Sequence, residues 1–328
     1  MKAAILGAGA MGSLVGAHLK KGGGQVYFVD VNEEHMKAVA ANGLYMELED
    51  EPEPWTVVLD GAEVNGDKIG VCDVVIVLVK CYDTETAIQA NRSLFGEDTV
   101  VITLQNGVGG ADLILKHFDA SHVGLGVLKS SASYFAPGKI FGRARFPNSP
   151  KGAYFSPSRA DSPCRPVFEE LAKLLSAGGM PAECNDRTEE LIWDKLCSNV
   201  MINGLAALLL LSGEELSNHE DGDFLMRELA RETCEVGRAR GLDMELGTYW
   251  SEKPGGRLPH DQIKTFHYVS MCLDSYNKRR TEIDFINGSV VREGKKYGIP
   301  TPYNETIWRL VRVLQDTYDY KFQPRKDA

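Results

Sequence analysis

The sequence lacks any apolar run that could cross a bilayer: the longest, residues 204–211, falls far short of the ~20 residues a membrane helix needs. It is short of positive charge. With 36 Lys and Arg against 46 Asp and Glu the net charge is −10, which excludes a general electrostatic grip on nucleic acid or anionic membrane but leaves room for a local basic pocket. It lacks paired cysteines: Cys72, Cys81, Cys164, Cys184, Cys197, Cys234 and Cys272 stand apart, with no CxxC among them. An odd number in a chain large enough to fold without staples reads as reduced thiols in a cytoplasm. No His/Cys/Asp cluster has metal spacing, so no metal is expected. A leader pattern is missing too. MKAAILGAGAMG carries one Lys and a short apolar run that turns straight into glycines, which reads as a buried strand and its turn.

What is present is a globular composition, 43% apolar and 25% charged, over 328 residues, a length that suits two domains. The first third alternates β-branched runs with helical patterns. Strands are predicted over 2–6, 25–29, 74–79 and 100–104, and helices over 12–20 and 33–42. Continuous apolar runs of this kind mark strands buried on both faces of a parallel sheet. Residues 123–154, with the turn signal Pro137–Gly138, read as antiparallel strands finishing the domain. After Pro181 the helical period takes over, at 188–211, 221–240, 261–277, 282–297 and 304–318, with SEKPGGRLP after Trp250 as a loop. The fold class is therefore α/β: a Rossmann-type dinucleotide-binding domain over 1–183, then an all-helical domain over 184–328.

Gly7, Ala8, Gly9, Ala10, Met11 and Gly12 form G-x-G-x-x-G directly after a strand and at the start of a helix. Gly7 permits the tight turn, Gly9 lets the backbone approach a pyrophosphate, and Gly12 allows the helix to pack on the strand. The anion would sit on N–H groups at the positive end of the helix. The second strand ends in Asp30, 18 residues after Gly12, and no Arg or Lys occupies the next five positions. A carboxylate there accepts from the adenosine ribose and repels a 2′-phosphate, which favours NAD(H) over NADP(H). Asp30 as a helix N-cap or a solvent residue is the competing reading.

In the second half, Lys195, Asn199 and Asn203 fall at i, i+4 and i+8 on one face of a helix whose other positions include Leu196, Val200 and Leu205. Buried, such groups need polar partners and would face a ligand; on a solvated face they cost nothing. Both readings stand on spacing alone. Further on, Thr281 is a candidate N-cap for a helix in which Glu282 or Asp284 complements the dipole or serves chemistry. Arg279 and Arg280 bind an anion or solvate a turn.

These residues carry a resemblance. GAGAMGS (7–13), VLVK (77–80), LQNGVG (104–109), WDKLCSNVMIN (193–203), SMCLD (270–274), RRTEIDFINGSVV (279–291) and GIPTPYNET (298–306) resemble the ketopantoate reductases (2-dehydropantoate 2-reductases) over nearly the full length. The resemblance implies that Lys195 is the general acid and Glu282 a catalytic carboxylate. It implies that Asn199, Asn203 and Ser270 bind substrate, that Asn106 lies near nicotinamide and substrate, and that Lys80 lies on the cofactor side. The implied reaction is reduction of a small-molecule 2-oxo acid by hydride from the nicotinamide and a proton from Lys195.

Two departures stand out. The family is mostly NADP-dependent and usually carries a basic residue after the second strand, where this chain has Asp30. Ser212 stands roughly where some members place a substrate-binding Asn. Two other readings compete: a dehydrogenase of the wider β-hydroxyacid type, against which GLGVLKS (124–130) replaces the expected DAPVSGG-like stretch, and a non-catalytic NAD(H) sensor, against which the Lys195/Asn199/Asn203/Glu282 set speaks. Apolar helices of the second domain suit a homodimer face or an interdomain interface equally.

Overall fold

The computed structural model of the chain describes residues 1–249 and 268–320. The chain divides into two compact units, Met1–Ile192 and Trp193–Ala328.

The first unit opens with β1 (Lys2–Leu6), α1 (Ala10–Lys21), β2 (Gln25–Val29) and α2 (Glu33–Asn42), followed by the short strands β3 (Leu44–Leu48), β4 (Trp55–Val57) and β5 (Gly61–Glu63). Next come β6 (Val74–Val77), α3 (Thr84–Ala90), β7 (Val100–Thr103), α4 (Gly110–Ile114) and β8 (Val123–Leu128). β9 (Ser131–Ala136), β10 (Lys139–Arg143), β11 (Ala153–Pro157), α5 (Arg165–Ala177) and β12 (Ala182–Cys184) complete it. The apolar runs VVIV of β6 and VVIT of β7 are buried at every position. Strands so enclosed need cover on both faces, and only a parallel sheet with crossover helices supplies it. The main sheet runs β12-β11-β8-β7-β6-β1-β2-β5. β1 pairs in parallel with β2 on one side and β6 on the other, so the strand order reverses at β1. Ligands of open α/β sheets bind outside the strand ends at such a reversal.

The antiparallel strands expected over 123–154 are divided between two sheets. β8 joins the main sheet in parallel with β7, and β11 returns antiparallel to β8. β9 and β10 form a hairpin across Pro137–Gly138, where Gly138 takes φ +73°, and β10 then pairs in parallel with β3 in a second sheet ordered β4-β3-β10-β9. β9 is half or fully exposed along its length, a pattern that a doubly covered sheet cannot accept. At the other end of α1, Gly22 and Gly178 let the ends of α1 and α5 meet. A Cβ on Gly178 would stand 1.8 Å from the His18 carbonyl oxygen, and one on Gly22 would stand 1.8 Å from that of Leu174. The buried His18 ring adds a bond from Nδ1 to the Gly178 carbonyl at 2.9 Å.

The described part of the second unit is helical. α6 (Thr188–Leu209) spans the division; α7 (Gly213–Asn218), α8 (Glu220–Ala239), α9 (Leu246–Tyr249), α10 (Ser270–Tyr276), α11 (Asn287–Tyr297) and α12 (Pro302–Asp316) follow. The loop expected after Trp250 and the first part of the helix expected over 261–277 lie outside the described residues. The helix expected over 282–297 starts late. Residues Ile283–Phe285 form a 3-10 turn, and Ile286, at φ −105° and ψ −97°, interrupts the helical path before α11. Thr281 therefore caps no long helix; its hydroxyl donates to Gln315 at 2.9 Å.

A buried carboxylate organises these helices. Glu232 on α8 accepts the backbone N–H groups of Tyr303 and Asn304 at 2.9 Å each and the Asn304 amide at 2.8 Å. It thus caps α12, where the helix dipole favours negative charge. Asn304 accepts in turn from Asn287 of α11 at 3.1 Å, and the Asn287 amide lies 3.5 Å from the Val200 carbonyl of α6.

The glycine contact between α1 and α5 generates a test. Gly178→Ala forces a methyl into backbone and lowers unfolding free energy by about 1–3 kcal/mol, the usual cost of overpacking. Urea denaturation reads this as a lower midpoint at unchanged slope; an unmoved midpoint would mean that the two helix ends do not touch.

Candidate active site

The β1–α1 turn has the geometry each glycine implies. Gly7 takes φ +99°, and a Cβ there would stand 2.2 Å from the Val79 nitrogen. A Cβ on Gly12 would stand 2.0 Å from the Gly7 carbonyl oxygen, so α1 reaches the turn only because residue 12 has no side chain. Gly9, the N-cap of α1, has open space where its Cβ would project. Ala8 is buried beneath it, while Ala10 and Met11 form the half-exposed first turn. Open backbone at a helix N-terminus, braced from below, fits the pyrophosphate of a dinucleotide.

Asp30 follows β2 and is half-buried; its Oδ1 accepts the Asn32 N–H at 2.9 Å. The N-cap of α2 is Asn32, whose side chain accepts from the His35 N–H at 3.0 Å. The N-cap reading of Asp30 therefore falls.

Lys80 and Asn106 follow β6 and β7, adjacent parallel strands whose ends lie at the same edge of the sheet as the glycine turn. The residue that joins them is one the sequence reading passed over, Gln105. Its amide donates to the Val79 carbonyl at 2.7 Å and to the Thr84 hydroxyl at 2.9 Å, and its carbonyl accepts from Thr103 at 2.8 Å. The Cys81 thiol adds a bond to the Asn106 carbonyl at 3.4 Å. Positive φ at Gly107 (+87°) and Gly109 (+115°) curls the loop back into α4. The signal for Gln105 lay in LQNGVG, where a glutamine between a buried strand and a glycine turn has backbone groups to satisfy.

In the helical unit, α6 carries Lys195, Asn199 and Asn203. Lys195 and Asn199 are half-buried, and Asn203 is 5% exposed. A solvated face does not describe the Asn203 end of this line. Next to Asn203, Gly204 admits neighbours: a Cβ there would stand 3.5 Å from Ile283 Cδ1 and 2.3 Å from Ile307 Cγ2. That packing brings the 3-10 turn against α6. Glu282, the N-cap of the turn, is 8% exposed. The task of the other carboxylate is structural, since Asp284 accepts from the Trp308 indole at 2.7 Å. Ser270 is the exposed first residue of α10. Arg279 pairs with Asp274 at 3.1 Å rather than presenting a bare anion site.

Ser212 serves a helix end in this structure. It is fully buried and closes a capping box on α7: its hydroxyl accepts from the Glu215 N–H at 3.2 Å, and its own N–H donates to the Glu215 carboxylate at 2.7 Å. A hydroxyl so used is committed to the helix end.

Known proteins resemble this chain over nearly its full length. Residues 3–147 match the family model described as ketopantoate reductase PanE/ApbA, and residues 187–315 match its C-terminal counterpart. The 2-dehydropantoate 2-reductase of Streptococcus pyogenes serotype M6 is 30% identical over 314 residues, covering 95% of this chain and 97% of that protein. The enzyme of the same name from Lactococcus lactis is 29% identical, covering 96% and 98%. Among solved structures, D-mandelate dehydrogenase with NADH and anilino(oxo)acetate superposes with a TM-score of 0.81 at 28% identity, covering 98% of this chain and all of that one. A PanE/ApbA family ketopantoate reductase from Ralstonia eutropha JMP134 gives 0.79 at 26% identity, again covering 98% and 100%. With both halves matched by the family models and a relative 30% identical over nearly the full length, the chain belongs to the ketopantoate reductase family.

Proposed function

We propose that this protein reduces 2-dehydropantoate, or a closely related 2-oxo acid, to the 2-hydroxy acid with NADH. The observation that carries the reading is the line of Lys195, Asn199 and Asn203 along α6, buried at its Asn203 end, in a chain that also holds an open glycine turn. Gly7, Ala8, Gly9, Ala10, Met11 and Gly12 would cradle the pyrophosphate and Asp30 the adenosine ribose, with Lys80 and Asn106 toward the nicotinamide.

Reduced nicotinamide, when bound, supplies a hydride for the keto carbon. Lys195 donates to the keto oxygen, stabilises the charge that gathers there and gives up the proton that completes the alcohol. Glu282 orients Lys195 or accepts from a substrate hydroxyl. Asn199, Asn203 and Ser270 hold the carboxylate and hydroxyl groups, so that the reacting atoms meet without a search.

Asp30 supports NADH over NADPH. Its Oδ1 is fixed by the Asn32 N–H, so the carboxylate cannot easily swing away from a 2′-phosphate. A second substrate reading has one observation behind it, the likeness to a D-mandelate dehydrogenase solved with NADH. On that reading the 2-oxo acid carries a different side chain, and the same residues do the same work.

Two outcomes follow. Lys195→Ala lowers the rate of NADH oxidation with the preferred 2-oxo acid on the order of a hundredfold, the worth of a positioned general acid, while NADH still binds; an undiminished rate would remove Lys195 from the chemistry. Asp30→Ala narrows the preference for NADH over NADPH by about tenfold, roughly 1.4 kcal/mol of lost repulsion and ribose binding. Paired Kd titrations with the two cofactors read that ratio, and an unaltered ratio would place the discrimination elsewhere.

A further inference from the structure

We infer that His35 and Ser13 are positioning residues for the glycine turn, and that their hydrogen-bond chain makes dinucleotide affinity depend on pH. The inference rests on the dinucleotide-binding reading above.

The chain of bonds has a fixed direction. The Gly138 N–H, which can only donate, reaches His35 Nδ1 at 2.9 Å. Nδ1 must therefore carry the lone pair, and a neutral His35 holds its proton on Nε2. Nε2 lies 3.1 Å from the Ser13 hydroxyl, which donates onward to the Ala8 carbonyl at 2.8 Å. Every member is buried or is backbone: His35 is 1% exposed and Ser13 fully buried. The chain thus begins at the β9–β10 turn of the second sheet, crosses α2 and α1, and ends on Ala8 inside the G-x-G-x-x-G turn. Ala8 precedes Gly9, whose open backbone is the surface a pyrophosphate would approach.

A second proton on His35 would set an N–H on Nδ1 against the Gly138 N–H. One donor would lose its partner inside the protein, and the ring would have to leave. The groups around the ring leave little to offset this. α1 presents the Ser13 hydroxyl, the hairpin turn presents a backbone N–H, and β9 presents the Tyr134 ring with centroids 5.2 Å apart. Burial, which favours the neutral ring, holds the His35 pKa below its ordinary value of 6.5 and outweighs two groups that favour the imidazolium, the Asp30 carboxylate after β2 and the Ala8 backbone carbonyl. The sign follows directly. The ordered chain is complete above about pH 6.5 and is lost as pH falls below that toward the depressed pKa.

The test is calorimetric titration with NAD+, which tolerates acid, at about pH 7.5 and about pH 5.5, on wild type, Ser13→Ala and His35→Asn. His35→Asn keeps an acceptor for Gly138 and removes both the titration and the arm to Ser13. We expect wild-type Kd to rise about threefold to tenfold toward acid, the worth of about one hydrogen bond. Both variants should bind about threefold to tenfold more weakly at the higher pH and show a flat profile, with far-UV circular dichroism confirming the fold. A merely structural role would weaken binding without flattening the profile. Variants that keep the wild-type profile, or a wild type with no pH dependence in this range, would overturn the inference. Wild type that binds no NAD+ at either pH would overturn the functional reading and take this inference with it.

Discussion

The first unit depends on one close approach, that of α1 to the end of β1. Gly12 can lie against the Gly7 carbonyl, and Gly7 against Val79, only where no side chain intervenes. These contacts set three things together: the direction of the α1 dipole, the exposure of the Gly9 backbone, and the seating of the β6 end from which Lys80 extends. A side chain at either glycine would move all three. Gln105 then fastens the β7 end to the same frame through Val79, so the segments bearing Lys80 and Asn106 are braced by one amide.

The helical unit uses a buried charge for a comparable purpose. Glu232 is fully buried, yet its carboxylate accepts three N–H bonds at the start of α12. Removing it would orphan those donors at a cost of several kcal/mol. The chain of Asn304 and Asn287 carries that order to α6, the helix with Lys195 and Asn199. On the proposed reading Lys195 is a proton donor, which must be held to a fraction of an ångström, and a packed helix supplies that better than a loop. Ser212 and Asp284 show the same economy, since each polar group that looked available is committed to a cap or an indole.

Much of this was legible before the fold was seen, for reasons that differ by element. β1, β2 and α2 could be bounded because each is flanked by a local signal: Gly7 after β1, Gly24 before β2, and Asn32 and Gly43 at the ends of α2. The glycine fingerprint could be read because its spacing has a mechanism. The second sheet could not: the pairing of β3 with β10 joins segments far apart in sequence, and no local pattern announces it. The late start of α11 depends on the backbone at Ile286, which its residue type does not foretell. The partners of Gln105, His35 and Glu232 could not be read for a shared reason. Each is a polar residue whose partners, backbone and side chain alike, are brought near by folding, so composition and periodicity do not single it out.

The central claim is that this chain moves a hydride from NADH to the keto carbon of a 2-oxo acid. The most direct measurement is isotopic. NADH deuterated at the transferring position is incubated with wild-type protein and a set of 2-oxo acids that includes 2-dehydropantoate and the oxo form of mandelate, and the products are read by mass spectrometry. The account predicts a 2-hydroxy acid heavier by a single deuterium, bound to the carbinol carbon. Tight NADH binding with no deuterium in any product would contradict it and leave a nucleotide-binding protein in place of a reductase.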